Sequence, residues 1–252
     1  MVEIDLMLTK NDLKLIKSLR LKKYRTREQL YVIEGKKSIE EALRCNLDIR
    51  RLMGTEELKQ LLDKQGLLQR RSFEVTNQKT LESVSNFQSS NMGLALLSIR
   101  EPVTPPQTGV QIVLDGVRDP GNLGAIIRSM DWFGYKTLIC SPDCADFYNP
   151  KTLAATMGSF TRIQPYYSDP AEYMKRCPNL PVYGMLLGGD PMESTAFPED
   201  GLFILGSESH GIGSNLLPYI QNRIAITRFG EAESLNVAMA TSILLFALRN
   251  GK

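Results

Sequence analysis

From Val110 to the C-terminus, short apolar runs with strand character alternate with helical periodicity. The series starts with Val110-Gln-Ile-Val-Leu114, a loop, and a helix from about Asn122 to Phe133 closed by Gly134. This alternation is the strongest constraint on the fold, because strands joined one after another by helices run parallel in a single sheet. Further strands are predicted at Thr137–Cys140, Arg162–Tyr166, Val182–Leu187, Leu202–Leu205 and Arg223–Ile226. Helices are predicted near Pro150–Met157, Pro170–Arg176 and Ser234–Asn250. Ligands of open α/β sheets collect at the carboxyl ends of the strands, and three glycine-bearing loops lie at such ends.

The pattern begins only after Glu101-Pro-Val-Thr-Pro-Pro-Gln-Thr-Gly109, where three prolines in nine residues remove backbone donors and favour an extended linker. The predicted organisation is therefore a first domain over 1–100, a linker over 101–109 and a second domain over 110–252. The first reads as small mixed α/β. A capping box at Thr9–Asp12 opens one helix and Ser38-Ile-Glu-Glu41 another, with strands at Tyr31–Ile33, Ile49–Met53, Phe73–Val75 and Met92–Ile99.

Charge separates the two parts. Residues 1–100 hold 19 Lys and Arg against 13 Asp and Glu, whereas 101–252 hold 11 against 15. Most of the excess lies between Lys10 and Arg27, where Lys10, Lys14, Lys17, Arg20, Lys22, Lys23, Arg25 and Arg27 face one acid, Asp12. Such a block suits a phosphate-contacting surface, and equally a solvated face of an amphipathic helix burying Leu13, Ile16 and Leu19.

Several classes are excluded or disfavoured. At 42% hydrophobic and 23% charged residues, the chain is neither collagenous nor disordered. The longest apolar run, Leu235–Leu248, is too short and too polar for a bilayer span. Met1–Asp5 carries early acids and no long apolar stretch, so a cytoplasmic protein is expected. Cys45, Cys140, Cys144 and Cys177 lack paired zinc-site spacing, His210 is the sole histidine, and no metal is expected.

The first glycine loop, Leu114-Asp-Gly-Val-Arg-Asp-Pro-Gly-Asn-Leu-Gly-Ala-Ile-Ile-Arg128, matches neither the dinucleotide fingerprint nor the P-loop, since Asn122-Leu123 stands where Lys-Ser/Thr is required. Arg128 falls off the apolar stripe of its helix. It either holds a phosphate or pairs with Asp131 at i+3; read alone, the surface pair is simpler. The second loop, Leu205-Gly-Ser-Glu-Ser-His-Gly-Ile-Gly213, encloses Glu208. It suits close ligand approach and a plain glycine turn equally well. The third, Phe229-Gly-Glu-Ala-Glu-Ser-Leu-Asn-Val-Ala-Met-Ala240, places Ser234 as a natural N-cap with Asn236 in the first turn.

Taken together and in this order, Asp115–Gly124 with Arg128, Leu205–Gly211 and Glu233–Ala238 resemble the signature motifs of the SpoU (TrmH-like) branch of the SPOUT RNA methyltransferases. Tyr31-Val-Ile-Glu-Gly-Lys-Lys-Ser-Ile-Glu-Glu-Ala42 is similar to the start of the ribosomal-protein-like substrate-binding domain that often precedes them. The resemblance implies a SPOUT α/β fold with a mostly parallel sheet and a deep C-terminal trefoil knot, an exception to the rule against threaded chains. It implies S-adenosyl-L-methionine held by backbone at Gly206, Ile226 and Leu235, and methyl transfer to a ribose 2'-hydroxyl of structured RNA. It also implies a homodimer in which the cofactor loops and Arg128 meet at the subunit interface.

Carried over residue by residue, Arg128, Asn122, Glu208, Ser234 and Asn236 become the catalytic set. Arg128 meets the 2'-hydroxyl or its phosphate, and a phosphate clamp is simpler than a base because the neutral form of arginine is scarce. Lys10, Lys14, Lys17, Lys22, Lys23 and Arg25 become RNA contacts. Ribosomal RNA is favoured over transfer RNA, and DNA is not expected. The chain departs from the family pattern at Thr227 and Arg228, in place of Pro-Met, and at Ser209, in place of glycine. The alternatives are a non-catalytic RNA-binding or ribosome-assembly factor retaining the fold, a transfer-RNA ribose methyltransferase, and a base methyltransferase.

Overall fold

A computed structural model describes residues 9–69, 71–87 and 92–250; the N-terminal stretch Met1–Asp5 lies outside the described residues. In chain order the first elements are α1 (Lys10–Ser18), α2 (Lys22–Glu28), β1 (Leu30–Glu34), α3 (Lys36–Arg44), β2 (Ile49–Gly54), α4 (Glu56–Lys64), β3 (Glu74–Val75), α5 (Gln78–Val84) and β4 (Gly93–Ser98). There follow β5 (Val110–Asp115), α6 (Pro120–Phe133), β6 (Thr137–Cys140), α7 (Pro150–Ala155), β7 (Tyr166–Tyr167), α8 (Pro170–Lys175), β8 (Val182–Pro191), β9 (Gly201–Gly206), β10 (Asn222–Ala225) and α9 (Val237–Asn250). They form two compact units, 1–101 with 148–161, and 102–147 with 162–252. A linear division at 101–109 does not capture the excursion 148–161, which carries α7 into the first unit.

The first unit is built on a four-stranded sheet in the order β1-β4-β2-β3, antiparallel except for β2–β3. Its core holds Ile16, Leu19, Val32, Met53, Leu81, Leu94 and Leu96. Thr9 and Asp12 close the expected capping box on α1. α3 begins two residues before Ser38, after Gly35 at φ 88°, and Ser38 is buried within it. Arg25 is buried rather than displayed, its Nη1 donating to the Leu19 and Arg20 carbonyls at 2.8 Å each. A guanidinium so placed ties the α1–α2 turn and is not an RNA contact, whereas Lys10, Lys14, Lys17, Lys22 and Lys23 are exposed.

The second unit contains a six-stranded sheet in the order β10-β8-β9-β5-β6-β7, parallel throughout. β5 and β9 are buried along nearly their whole length, which is why they read as continuous apolar runs. Each of Ile112, Leu114, Phe203 and Ile204 is buried, worth about 1.5–3 kcal/mol apiece. The one polar residue inside β5, Gln111, donates to the Pro106 and Thr108 carbonyls and accepts from the Tyr173 hydroxyl at 2.7 Å. α6 starts at Pro120 rather than Asn122, because the Asp119 carboxylate accepts the Asn122 N–H and Pro120 occupies the first helical position. The strand expected at Arg162–Tyr166 shrinks to Tyr166–Tyr167, since Arg162 turns outward to the Asp131 carboxylate.

Candidate active site

β9 ends at Gly206, where the chain folds back on itself. The Gly211 N–H donates to the Ser207 carbonyl at 2.8 Å, with Gly211 at φ 65°. A β-carbon on Gly206 would collide with the backbone of Gly211 and Ile212, so this loop requires glycine there. The Asp115 carboxylate at the end of β5 accepts the Gly213 N–H at 2.7 Å and fastens the second motif to the first. Sequence reasoning gave Asp115 no such role.

Beside this turn, β10 pairs with β8 out of register. Arg223 lies opposite Gly184 and the next residue, Ile224, opposite Asp190. The residues between, Met185–Gly189, bulge out, and Met185, Leu186 and Leu187 form one wall of a cavity of about 720 Å³, with the 206–212 turn and the 225–235 loop supplying other walls. The expected cofactor residues Gly206, Ile226 and Leu235 all line it, together with Glu208 and Ser234. The Leu186 and Leu187 contribution was not foreseen; the Gly188-Gly189 pair after an apolar strand is the signal that marks such a bulge.

At the edge of the cavity the motifs join through side chains. The Asn122 amide donates to Glu208 Oε1, and the Asn236 amide donates to Asn122 Oδ1 at 3.0 Å and Glu208 Oε1 at 3.5 Å. The Asn236 side-chain carbonyl accepts the Ala238 and Met239 N–H groups at 2.9 and 3.4 Å. Asn236, not Ser234, is thus the cap of α9, and the helix begins at Val237. Ser234 remains in the exposed loop on the cavity wall.

Arg128 stands apart. It is exposed on α6, outside the cavity lining, and among the described residues its side chain makes no hydrogen bond or ion pair. The expected partner Asp131 is taken by Arg162, whose Nη2 lies 2.7 Å from Oδ2. Of the departures from the family pattern, Thr227 donates to Glu193 Oε2 at 3.0 Å, and Arg228 to the Ala232 carbonyl at 3.5 Å. Its own backbone N–H and the Thr227 hydroxyl hold the Glu193 carboxyl below the usual range. Ser209 shares a 2.7 Å hydrogen bond with His210 Nδ1. Beneath the first motif, the Cys140 hydrogen bond brings the Cys144 thiol down to about 7, and Cys144 Sγ accepts the Val117 N–H at 3.3 Å.

Residues 109–246 match the model of the SpoU rRNA Methylase family, and residues 10–95 that of the MRM3-like substrate binding domain. The 23S rRNA (guanosine(2553)-2'-O)-methyltransferase RlmP of Bacillus subtilis is 29% identical over 92% of this chain and 94% of its own. A TrmH-family protein from Porphyromonas gingivalis superposes with a TM-score of 0.87 at 32% identity, covering 98% of this chain and 100% of that one. The AdoMet-bound rRNA methyltransferase of Sinorhizobium meliloti superposes with a TM-score of 0.83 at 27% identity, covering 96% and 95%. Three ordered motifs, joined at the carboxyl ends of a parallel sheet, and a family match over more than half of its length agree: the chain belongs to the SpoU rRNA methylase family.

Proposed function

We propose that this protein methylates a ribose 2'-hydroxyl in structured RNA, with ribosomal RNA favoured over transfer RNA, using S-adenosylmethionine. The observation that carries the reading is the cavity whose walls include Gly206, Ile226 and Leu235 and whose edge is the Asn122–Glu208–Asn236 network. Its volume lies within the roughly 300–1,000 Å³ of small-molecule pockets, and Gly206 lets the 206–212 turn fold tightly back on itself at the cavity wall. The donor, when bound, supplies a sulfonium methyl already activated for in-line displacement.

What remains for the protein is alignment and disposal of a proton. Asn122 and Asn236 fix the Glu208 carboxylate, and Ser234 presents a hydroxyl from the cavity wall. Arg128, free of intramolecular partners among the described residues, clamps the target phosphate or 2'-hydroxyl. Its place outside the lining of its own cavity supports a homodimer in which it serves the partner's site. Trp132 on α6 and Met239, Ile243 and Phe246 on α9 are large apolar side chains left exposed on two helices joined by a 2.8 Å Ser129–Ser242 hydrogen bond, which supports the same assembly. The exposed lysines of α1 and α2 would engage RNA phosphates. The reading includes the C-terminal trefoil knot, supported by the return of α9 from the outer strand β10 to α6. It places the protein in the cytoplasm, with its four cysteines free as here; among the described residues no helix is long and apolar enough to cross a membrane.

The test is transfer of labelled methyl from S-adenosylmethionine to RNA from cells lacking the gene, followed by nucleoside analysis. Label in a 2'-O-methylnucleoside of ribosomal RNA, abolished by Arg128→Ala with cofactor binding intact, is expected. No incorporation into mature RNA or assembly intermediates, with no cofactor binding by calorimetry, would move the reading to a non-catalytic RNA-binding factor.

A further inference from the structure

The hydrogen-bond ladder between β5 and β6 ends at Leu114 opposite Cys140. Beyond it the chain turns away through Gly116, at φ 69°, and its backbone N–H groups need new acceptors. The turn that follows β6, closed by the Cys144 N–H on the Ser141 carbonyl at 3.0 Å, supplies them from side chains. Ser141 Oγ accepts the Gly116 N–H at 2.9 Å, and Cys144 Sγ accepts the Val117 N–H at 3.3 Å. Backbone bonds from the Ser141 N–H to the Leu114 carbonyl and from the Ala145 N–H to the Val117 carbonyl, each 2.9 Å, bracket these two. The Ser141 hydroxyl donates in turn to Asp143 Oδ1 at 2.6 Å, and Asp143 Oδ2 accepts from Arg118 at 2.9 Å. These two bonds hold the Asp143 carboxyl below the usual range. Ser141 is buried and Asp143 exposed, so the carboxylate orients the hydroxyl from the solvent side.

We propose that Ser141 is a positioning residue for methyl transfer, acting through Gly116 to set Asn122 against Glu208. The inference rests on the methyl-donor reading. An apolar contact would fill the same space and leave direction free. Hydrogen bonds are directional, so acceptors on two successive N–H groups fix the course on which the chain leaves β5. Along that course Asp119 accepts the Asn122 N–H at 2.9 Å, and the Asn122 amide donates to Glu208 Oε1. Just before Gly116, Asp115 ties the same segment to the turn that carries Glu208, through the Gly213 N–H. Residues 115–122 are therefore gripped from one side by the glycine turn and from the other by Ser141. Ser141 lies outside the cavity lining, so its loss disturbs alignment without touching the donor. A misplacement of about 1 Å at the reacting groups costs up to about 100-fold in rate.

The experiment is single-turnover methyl transfer to ribosomal RNA from cells lacking the gene, at saturating S-adenosylmethionine, with equilibrium cofactor binding measured alongside. Wild type is compared with Ser141→Ala, Asp143→Ala, Asn122→Ala and the double variant Ser141→Ala with Asn122→Ala, all in the full chain. Ser141→Ala is expected to slow transfer about tenfold, and Asp143→Ala, which leaves the hydroxyl unoriented, about threefold, with cofactor affinity within about twofold of wild type. In the Asn122→Ala background, Ser141→Ala costs less than about twofold, because nothing is left for it to position; a merely stabilising residue loses the same factor in both backgrounds. Hydrogen exchange without ligand gives a second readout, in which Ser141→Ala is expected to raise exchange in peptides covering 115–124 and to leave those covering β9 unchanged. Wild-type transfer by Ser141→Ala, a full tenfold loss in the double variant, or a parallel loss of cofactor affinity overturns the proposal. If Ser141→Ala does not fold, Asp143→Ala, at its exposed position, carries the test, and wild-type transfer there overturns it. Wild type that binds no S-adenosylmethionine and transfers no methyl refutes the methyl-donor reading instead. Faster exchange at 115–124 in Ser141→Ala then leaves Ser141 as the support of Asn122, and unchanged exchange refutes that as well.

Discussion

Asn236 holds two structures together with one side chain, so its replacements separate helix capping from site assembly. Asn236→Ala deletes the acceptor for the Ala238 and Met239 N–H groups, a cap worth about 1 kcal/mol. It also deletes the donor to Asn122 and Glu208. At this exposed position that contributes near the lower end of the roughly 0.5–1.5 kcal/mol of a net hydrogen bond. The sum is about 1.5 kcal/mol. At about 2–4 °C per kcal/mol for a chain of this size, the variant melts roughly 3–6 °C below wild type. Asn236→Ser keeps an acceptor for the first turn of α9 and recovers most of that loss, but has no amide to reach Asn122 and Glu208. Asn236→Asp also keeps the cap, yet sets a second carboxylate against Glu208. Thermal unfolding therefore ranks alanine lowest. Single-turnover methyl transfer at saturating cofactor falls in all three, furthest in Asn236→Asp. An Asn236→Ser protein with full turnover would detach the amide from the site, and an Asn236→Ala protein as stable as wild type would refute the capping argument.

Reversing Lys10, Lys14 and Lys17 to Glu is expected to weaken RNA binding and lower its salt slope by up to about 3, with cofactor affinity unchanged; an unaltered slope in a binding titration returns α1 to a solvated helix face. Phe246→Glu places a charge on the exposed α9 stripe and is expected to convert a dimer to a monomer in sedimentation equilibrium, a result refuted if wild type is itself monomeric. Asp12 gives the acid limb of stability. The hydrogen-bonded Arg51 guanidinium, followed by the Thr9 backbone N–H, lowers its pKa from 3.8 to about 2. A depressed folded pKa contributes stability fully above about pH 4 and loses it as pH falls through about 2. Asp12→Asn is therefore expected to unfold about 1 kcal/mol more easily at pH 6 and to match wild type near pH 2; a constant difference across that range would contradict the assignment.

Strand identity in the second unit was legible because β5 and β9 are buried on both faces and leave no choice of which residues are apolar. The end of α6 was legible because Gly134, at φ 74°, supplies its left-handed cap. Its start was displaced by two residues because Asp119 and Asn122 are both good caps, and only the geometry selects Asp119. The same ambiguity moved the start of α9 from Ser234 to Val237, where the bonds from Asn236 to Asn122 and Glu208 decide between two equivalent residues. Arg25 illustrates a different limit. Its partners are backbone carbonyls, which carry no side-chain signature, so a buried structural arginine looked like its exposed neighbours. The excursion 148–161 was hidden for a similar reason. Buried Thr152, Leu153 and Phe160 show the same periodicity whichever unit they pack into.

The position of Arg128 depends on a competition the sequence could not reveal. At i+3, Asp131 is its natural surface partner, and a neutralised Arg128 would be a poor phosphate clamp. Arg162 removes that partner, placing Nε 3.0 and 2.9 Å from the two Asp131 oxygens and Nη2 2.7 Å from Oδ2. Arg162 is therefore a positioning residue that acts by occupying a carboxylate. In Arg162→Ala, Asp131 loses this guanidinium and competes for Arg128 with about 0.5 kcal/mol, typical of an exposed helical pair. That leaves Arg128 free roughly a third of the time, so turnover on RNA is expected to fall about threefold with cofactor affinity unchanged. Adding Asp131→Ala removes the competitor and restores turnover, which no direct role of Arg162 in RNA binding would do. Full activity in Arg162→Ala, or no recovery in the double variant, would refute the competition.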